Sequence, residues 1–418
     1  MPDRPNTPPR GLRTLLAAFA VALTTAAAAC SGGRAAPPAA TETTSTSSTT
    51  TTPTTTATPS PTSTTTTPSC ADLLASRLTP AQRVGQLLMV GLDSGSGRTA
   101  LDAEIQSLHL GGVLYLGGWS GAAKVKATSA HLQSQTGRKA TGGVRLLIAA
   151  DQEGGQVQQL EGDGFSAIPS ALRQGALSPT ALQTKATSWG RELVRVGVNV
   201  NLAPVADTVP TALGADNRPI GGFDREYGHD PAQVSRAVVA VVKGLHEAGV
   251  QPTVKHFPGL GRIQNNTDVS ASGITDSVTT MSDRYLEPFA DGIDAGTGLV
   301  MVSLARYSRL DPQNQAVFSP TIITGLLRDR LGYDGVVISD DLGKARAVSA
   351  VAPGTRAVRF IGAGGDLVIT AAPSRARAMV TAVTARMARD RAFAAKVETS
   401  VRRVLALKMQ MGLARCGG

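Results

Sequence analysis

The chain has 418 residues, with 41 Lys and Arg against 31 Asp and Glu and a hydrophobic content of 42%. A charged fraction of only 17% beside that apolar content excludes a chain disordered throughout, and three cysteines exclude a disulfide-rich scaffold. The net charge of +10 invites a nucleic-acid reading, but residues 1–69 differ in kind from residues 70–418, so the chain is read by segment.

Residues 1–29 carry Arg4, Arg10 and Arg13 and then an apolar run, Leu15 to Ala29, broken only by Thr24 and Thr25. The run is too short and too alanine-rich for a membrane span, which needs about 20 strongly apolar residues. A basic flank, a short apolar core and small residues before a cut site predict a secretory signal. It ends Ala27-Ala28-Ala29-Cys30, followed by Ser31, which resembles the lipobox of bacterial lipoproteins; Ala27 departs from the aliphatic residue usual there. Lipidation of Cys30 is expected, with plain cleavage nearby as the alternative. From residue 30 to residue 69 almost every residue is Thr, Ser, Pro or Ala. Such a segment buries too little apolar surface to offset its ordering entropy and is expected to act as a spacer, bare or O-glycosylated.

In residues 70–418 short apolar runs alternate with helix-like segments. Predicted strands are Gly85–Val90 or the residues just after it, Gly112–Leu116, Arg145–Ala149, Val198–Pro204, Thr253–His256, Leu299–Leu304, Gly335–Ser339 and Asp366–Thr370. Their continuous apolar character is that of strands covered on both faces. Predicted helices include Pro179–Val194, Pro231–Ala248, Pro320–Arg330 and Ser374–Met387. Three of them open on Ser178-Pro179, Asp230-Pro231 and Ser319-Pro320, the chemistry of an N-cap followed by proline at the first helical position. Eight strands alternating with helices predict an α/β fold, a (β/α)8 barrel in one catalytic domain with its site at the C-terminal strand ends. An open doubly wound sheet is the rival, and no GxGxxG follows a strand to support it. Cys70 and Cys416 stand at opposite ends of this domain, and a disulfide between them would tie its termini.

The residues after the predicted strands are polar. Asp151-Gln152-Glu153 follows the third, and Asn201 to Asp207 overlap the fourth, with Asp224-Arg225 further along. Lys255-His256-Phe257-Pro258-Gly259 ends the fifth, with Asn266-Thr267-Asp268 beyond, and Ser339-Asp340-Asp341 ends the seventh. Carboxylates with Lys, Arg and His, without the spacing of a Cys/His metal site, point to acid–base or glycosyl chemistry on a polyhydroxylated substrate. No metal or organic cofactor is implied. Trp119, after the second strand, is a candidate platform for a sugar ring, whereas Trp189 lies within a predicted helix.

The runs DQEGGQVQ (Asp151–Gln158), NLAPVAD (Asn201–Asp207), KHFPGLG (Lys255–Gly261) and SDDLGKARAV (Ser339–Val348) resemble glycoside hydrolase family 3, especially its single-barrel β-N-acetylglucosaminidases. The resemblance covers residues 75–412. It implies a barrel without the second α/β domain of many relatives, and a retaining exo-glycosidase that forms a covalent glycosyl-enzyme. By this resemblance Asp340 is the nucleophile, while Asp151, Arg225, Lys255 and His256 match positions that hydrogen-bond the sugar. Arg225 sits in Ile220–Gly228, a stretch two residues longer than the family's usual pattern, so its match is looser. Asp341 is expected to structure the loop and Glu153 to be structural, with a contact to substrate as the alternative for Glu153.

The acid/base departs from the family. Its glucosaminidases carry Asp-Ser-His on the loop after KHFPGHG; here Leu260 replaces the second His, and Asn266-Thr267-Asp268 occupies the loop. Asp268 is the only carboxylate or imidazole at that place under either alignment, and is the expected acid/base. Such a carboxyl needs a raised pKa, from desolvation or from the nearby Asp340.

The expected activity is release of β-linked N-acetylglucosamine from peptidoglycan fragments by a monomer. It would be anchored through Cys30 to the outer face of the membrane and would face the wall. A family 3 β-glucosidase or β-xylosidase, and a catalytically weak wall-sugar-binding lipoprotein, are the rivals. Removing residues 1–29 lowers the net charge to about +8, and no Lys/Arg stripe interleaved with aromatics is present, so no nucleic-acid partner is expected.

Overall fold

The computed structural model describes residues 69–416. The signal-type segment, Cys30 and residues 30–68 of the linker lie outside the described residues.

Eight parallel strands close into a barrel: β1 Leu88–Asp93, β2 Gly112–Leu116, β3 Leu147–Ala150, β4 Val200–Asn201, β5 Gln251–Phe257, β6 Leu299–Val302, β7 Val336–Asp341 and β8 Leu367–Thr370. Each pairs with its neighbours in sequence, and β8 returns to β1 through Leu88–Val368, Met89–Ile369 and Val90–Thr370. The strands form where the apolar runs predict them because helices cover their outer faces and side chains fill the barrel; Leu147, Ile148, Ala149 and Ala150 are fully buried. The fourth strand is shorter than expected. Regular pairing ends at Asn201; beyond it the Ala203 and Pro204 carbonyls still accept the Thr253 and Lys255 amides and Val205 bridges Lys255, while Pro204 has no amide hydrogen to donate.

The helix Pro179–Arg195 buries Leu182, Ala186, Gly190 and Leu193, a stripe at helical spacing, against the helix Pro231–Ala248. Gly244 permits this contact, since a Cβ there would lie 2.5 Å from the Gln183 carbonyl oxygen. Ser178 and Asp230 cap these helices as their sequences predict, accepting hydrogen bonds from Ala181 and from Ala232 and Gln233. The segment Thr321–Arg330 differs from expectation. It is a π-helix, as in the Leu331 amide donating to the Leu326 carbonyl. Its four successive β-branched residues, Thr321-Ile322-Ile323-Thr324, crowd an α-helical turn.

Arg391–Gln410 packs against the helix Cys70–Arg77, and Cys70 is bonded to Cys416 with Cα atoms 5.3 Å apart. At the N-terminal end of the barrel the Lys408 ammonium is wholly buried. It donates to Gln86 Oε1 and to the Gly111 carbonyl, both at 2.7 Å, and burial pushes its pKa down to about 7. A folded pKa below the unfolded value favours the neutral form, so this group's contribution to stability is largest above about pH 10.5 and is lost as pH falls to about 7. Stability is therefore expected to rise by a few kcal/mol (order of magnitude) between those pH values, and the rise is expected to flatten in Lys408→Met. Urea midpoints across that range check it.

Candidate active site

The C-terminal ends of β3, β5 and β7 and the loops after β4 and β5 surround a cleft of about 340 Å³. Asp151, Arg225, Lys255, His256, Asp268 and Asp340, the six site residues expected from the sequence, all line it. Leu114, Leu202, Met301 and Ile369 supply apolar wall.

Asp151 and Glu153 follow β3 directly, and both meet the Lys255 ammonium at 2.5 Å. Glu153 also takes a two-point contact from Arg225, Nε to Oε2 at 2.8 Å and Nη2 to Oε1 at 2.7 Å. The third Arg225 nitrogen, Nη1, donates to the Pro219 carbonyl at 2.8 Å, which fixes the guanidinium plane. Burial alone would push the Glu153 carboxyl up, but the charges of Arg225 and Lys255 outweigh it and bring its pKa down to about 2. Burial likewise disfavours the Lys255 charge, and Asp151 with Glu153 more than offsets this, so Lys255 is raised and stays protonated. Glu153 is thus structural, as expected, and what it structures is the position of two cleft cations. Glu153→Ala would leave the Arg225 guanidinium without its carboxylate and Lys255 with Asp151 alone. It is expected to cost about 3–5 kcal/mol of stability together with activity, and Glu153→Gln less; denaturant unfolding of each variant checks this.

His256 Nδ1 lies 2.7 Å from Asp207 Oδ2, and its Nε2 lies 3.4 Å from Arg225 Nη2. A guanidinium only donates, so when the imidazole is neutral Nε2 accepts and Nδ1 carries the proton toward Asp207. Asp207 also accepts the Leu260 amide at 2.7 Å, which ties the turn after β5 to the loop after β4. Sequence reasoning did not single out Asp207. The signal lay in the NLAPVAD run itself, where an acidic group at the end of an apolar stretch reads equally well as a loop cap.

Asp340 ends β7. Its Oδ1 accepts the Asp341 amide at 2.8 Å. Burial raises the Asp340 pKa, and the charge of His256 and the Asp341 N–H oppose the rise. Asp341 plays the loop-structuring part: its carboxylate accepts the amides of Gly343, Lys344 and Ala371 at 2.7–2.9 Å. Asp268 is held from both sides of its own peptide, its amide on Asn266 Oδ1 at 2.8 Å and its carbonyl on the Arg346 amide at 2.9 Å. The residue is exposed at the rim, while the cleft side of its carboxyl is crowded by chain. That crowding, and next the charge of Asp340, raise its pKa to about 6; Arg225 and His256 oppose them. Two carboxyls that repel across one cleft disfavour a second negative charge there, and the more exposed one, Asp268, is placed to give its proton away.

Trp119 is a correction. It is not a cleft platform but a core residue, 1% exposed, with Nε1 donating to the Leu116 carbonyl at 3.0 Å and its ring edge-on to Tyr115 at 4.9 Å. The pairing of Trp119 with Leu160 draws that segment onto the loop after β3, and the ring turns inward to satisfy its N–H.

A family model described as the glycosyl hydrolase family 3 N terminal domain matches residues 79–407. A beta-hexosaminidase of Xylella fastidiosa strain M23 is 35% identical over 313 residues, which cover 72% of this chain and 88% of that protein. The crystal structure of a beta-N-acetylhexosaminidase from Beutenbergia cavernae is 48% identical with a TM-score of 0.75, over 79% of this chain and 99% of that one. A glycoside hydrolase family 3 beta-N-acetylglucosaminidase from Paenibacillus is 32% identical with a TM-score of 0.71, over 80% of this chain and 63% of the other.

Proposed function

The chain belongs to glycosyl hydrolase family 3 and is a glycoside hydrolase, and from this premise we propose that it is a retaining, exo-acting β-N-acetylglucosaminidase. The observation that carries the mechanism is the sharing of one small cleft by Asp340 and Asp268, with Asp268 held protonated up to about pH 6 beside Asp340. Asp340 attacks the anomeric carbon and forms a glycosyl-enzyme. Asp268 gives its proton to the leaving oxygen, then takes one from the water that cleaves the intermediate. Asp151, Arg225, Lys255 and His256 supply fixed donors and acceptors for the sugar's hydroxyls, and Glu153 and Asp207 hold them.

Peptidoglycan fragments are the proposed substrate, and the outer membrane face, reached by a lipid on Cys30, is the proposed location. The signal-type segment, its terminal cysteine and the Thr/Ser/Pro-rich linker support this. A panel of aryl β-glycosides with one common leaving group tests the activity: turnover of the N-acetylglucosaminide is expected, and turnover of the glucoside in its place, or of neither, overturns the reading. Release of N-acetylglucosamine from purified muropeptides, followed by mass spectrometry, tests the substrate.

A further inference from the structure

Phe223 is a large aromatic side chain left 38% exposed, and it lines the same cleft as Asp268 and Arg225. It takes part in no ring–ring or cation–ring contact among the described residues and stands outside the core cluster. An apolar ring kept in solvent loses the burial free energy that would otherwise place it inside, so the turn that carries it holds it there.

That turn is heavily fixed. The fully buried Asn217 accepts the amides of Ile220 and Gly221 at 3.2 and 2.9 Å and donates to the carbonyls of Leu260 and Ile263 at 2.8 and 2.7 Å. One amide side chain thereby joins the loop after β4 to the loop after β5, which leads to Asp268. Gly221 packs so closely that a Cβ would lie 2.1 Å from the Gly214 carbonyl oxygen. The Phe223 amide donates to the Ile220 carbonyl, and Asp224 turns the chain with φ 53°. Two residues after the ring comes Arg225, clamped on Glu153. Phe223 therefore has a set position relative to both the sugar-binding cations and the proton donor.

We propose that Phe223 determines leaving-group specificity: its ring is the platform on which the departing sugar rests, next to the glycosidic oxygen that Asp268 protonates. This rests on the glycosidase reading above and extends it to the second sugar. The ligand class is a pyranose whose axial C–H face is apolar, which an exposed, prepositioned aromatic ring recognises with little ordering cost. Val269, 78% exposed beside Asp268, leaves that rim apolar as well.

The test compares two substrates with the same N-acetylglucosaminyl group, the disaccharide N,N′-diacetylchitobiose and the β-glycosyl fluoride, whose leaving group has no ring face. The quantity read is the ratio of kcat/KM for the disaccharide to kcat/KM for the fluoride. Taken within one preparation, it cancels any loss of folded protein. Phe223→Ala and Phe223→Leu are expected to lower the ratio roughly tenfold, as a stacking contact of this kind allows, and Phe223→Trp is expected to keep it. An unchanged ratio in Phe223→Ala, or a fall that Phe223→Trp shares in full, overturns the proposal. Failure of the wild-type protein to cleave the fluoride would instead overturn the glycosidase reading itself, so the two are told apart.

Discussion

Asp340→Asn is expected to lower kcat by at least about 10⁴-fold on every N-acetylglucosaminide, whatever its leaving group, while leaving the fold intact. The amide occupies the carboxylate's space and still offers an oxygen to the Asp341 amide, so the end of β7 keeps its local bonding. What it loses is the negative charge that makes the oxygen a nucleophile toward the anomeric carbon. It also relieves a buried carboxylate whose pKa burial already raises, so the melting temperature is expected to hold or increase. Steady-state kinetics beside thermal unfolding checks both halves. A loss of activity that tracks a loss of stability would assign Asp340 a structural part.

Asp268→Ala is expected to act selectively. For substrates with poor leaving groups, kcat/KM falls by about 10²–10⁴-fold, because the leaving oxygen departs without a proton; for activated aryl glycosides kcat/KM falls less than about tenfold. The pH profile gives a second readout. With its pKa near 6, Asp268 loses its proton as pH rises, so wild-type kcat/KM declines above about pH 6. In Asp268→Asn that decline is expected to vanish. The acid limb is expected to remain, since Asp268 is already neutral there and Asp340 sees no change in charge. Azide, which needs no general base, is expected to restore kcat on aryl substrates and to give the glycosyl azide.

The barrel was legible because its strands are buried on both faces and therefore appear as unbroken apolar runs, with proline and an N-cap residue marking the helices between them. Boundaries were less legible where backbone chemistry overrode composition. Regular pairing in β4 ends after two residues, short of Pro204, and the β-branched run at Thr321 turns an expected α-helix into a wider one. In the cleft, the motifs brought forward the residues that line it. The supports were harder to see, because they act through partners far along the chain: Arg225 lies 72 residues from Glu153, His256 49 from Asp207 and Leu260 43 from Asn217. Trp119 shows the same limit from the other side: its place after β2 was right for a platform, but a tertiary pairing with Leu160 decided where the ring went. Phe223 had no motif of its own, and only its exposure on a fixed turn singles it out.

The central claim is that Asp340 becomes covalently glycosylated while Asp268 supplies the proton. It is tested most directly by quenching the protein during turnover of 5-fluoro-N-acetylglucosaminyl β-fluoride, whose intermediate breaks down slowly, and mapping the adduct by peptide mass spectrometry. The expected result is one added sugar on the peptide that carries Asp340, absent in Asp340→Asn. An adduct on a different residue, or steady turnover with the protein mass unchanged, would contradict it.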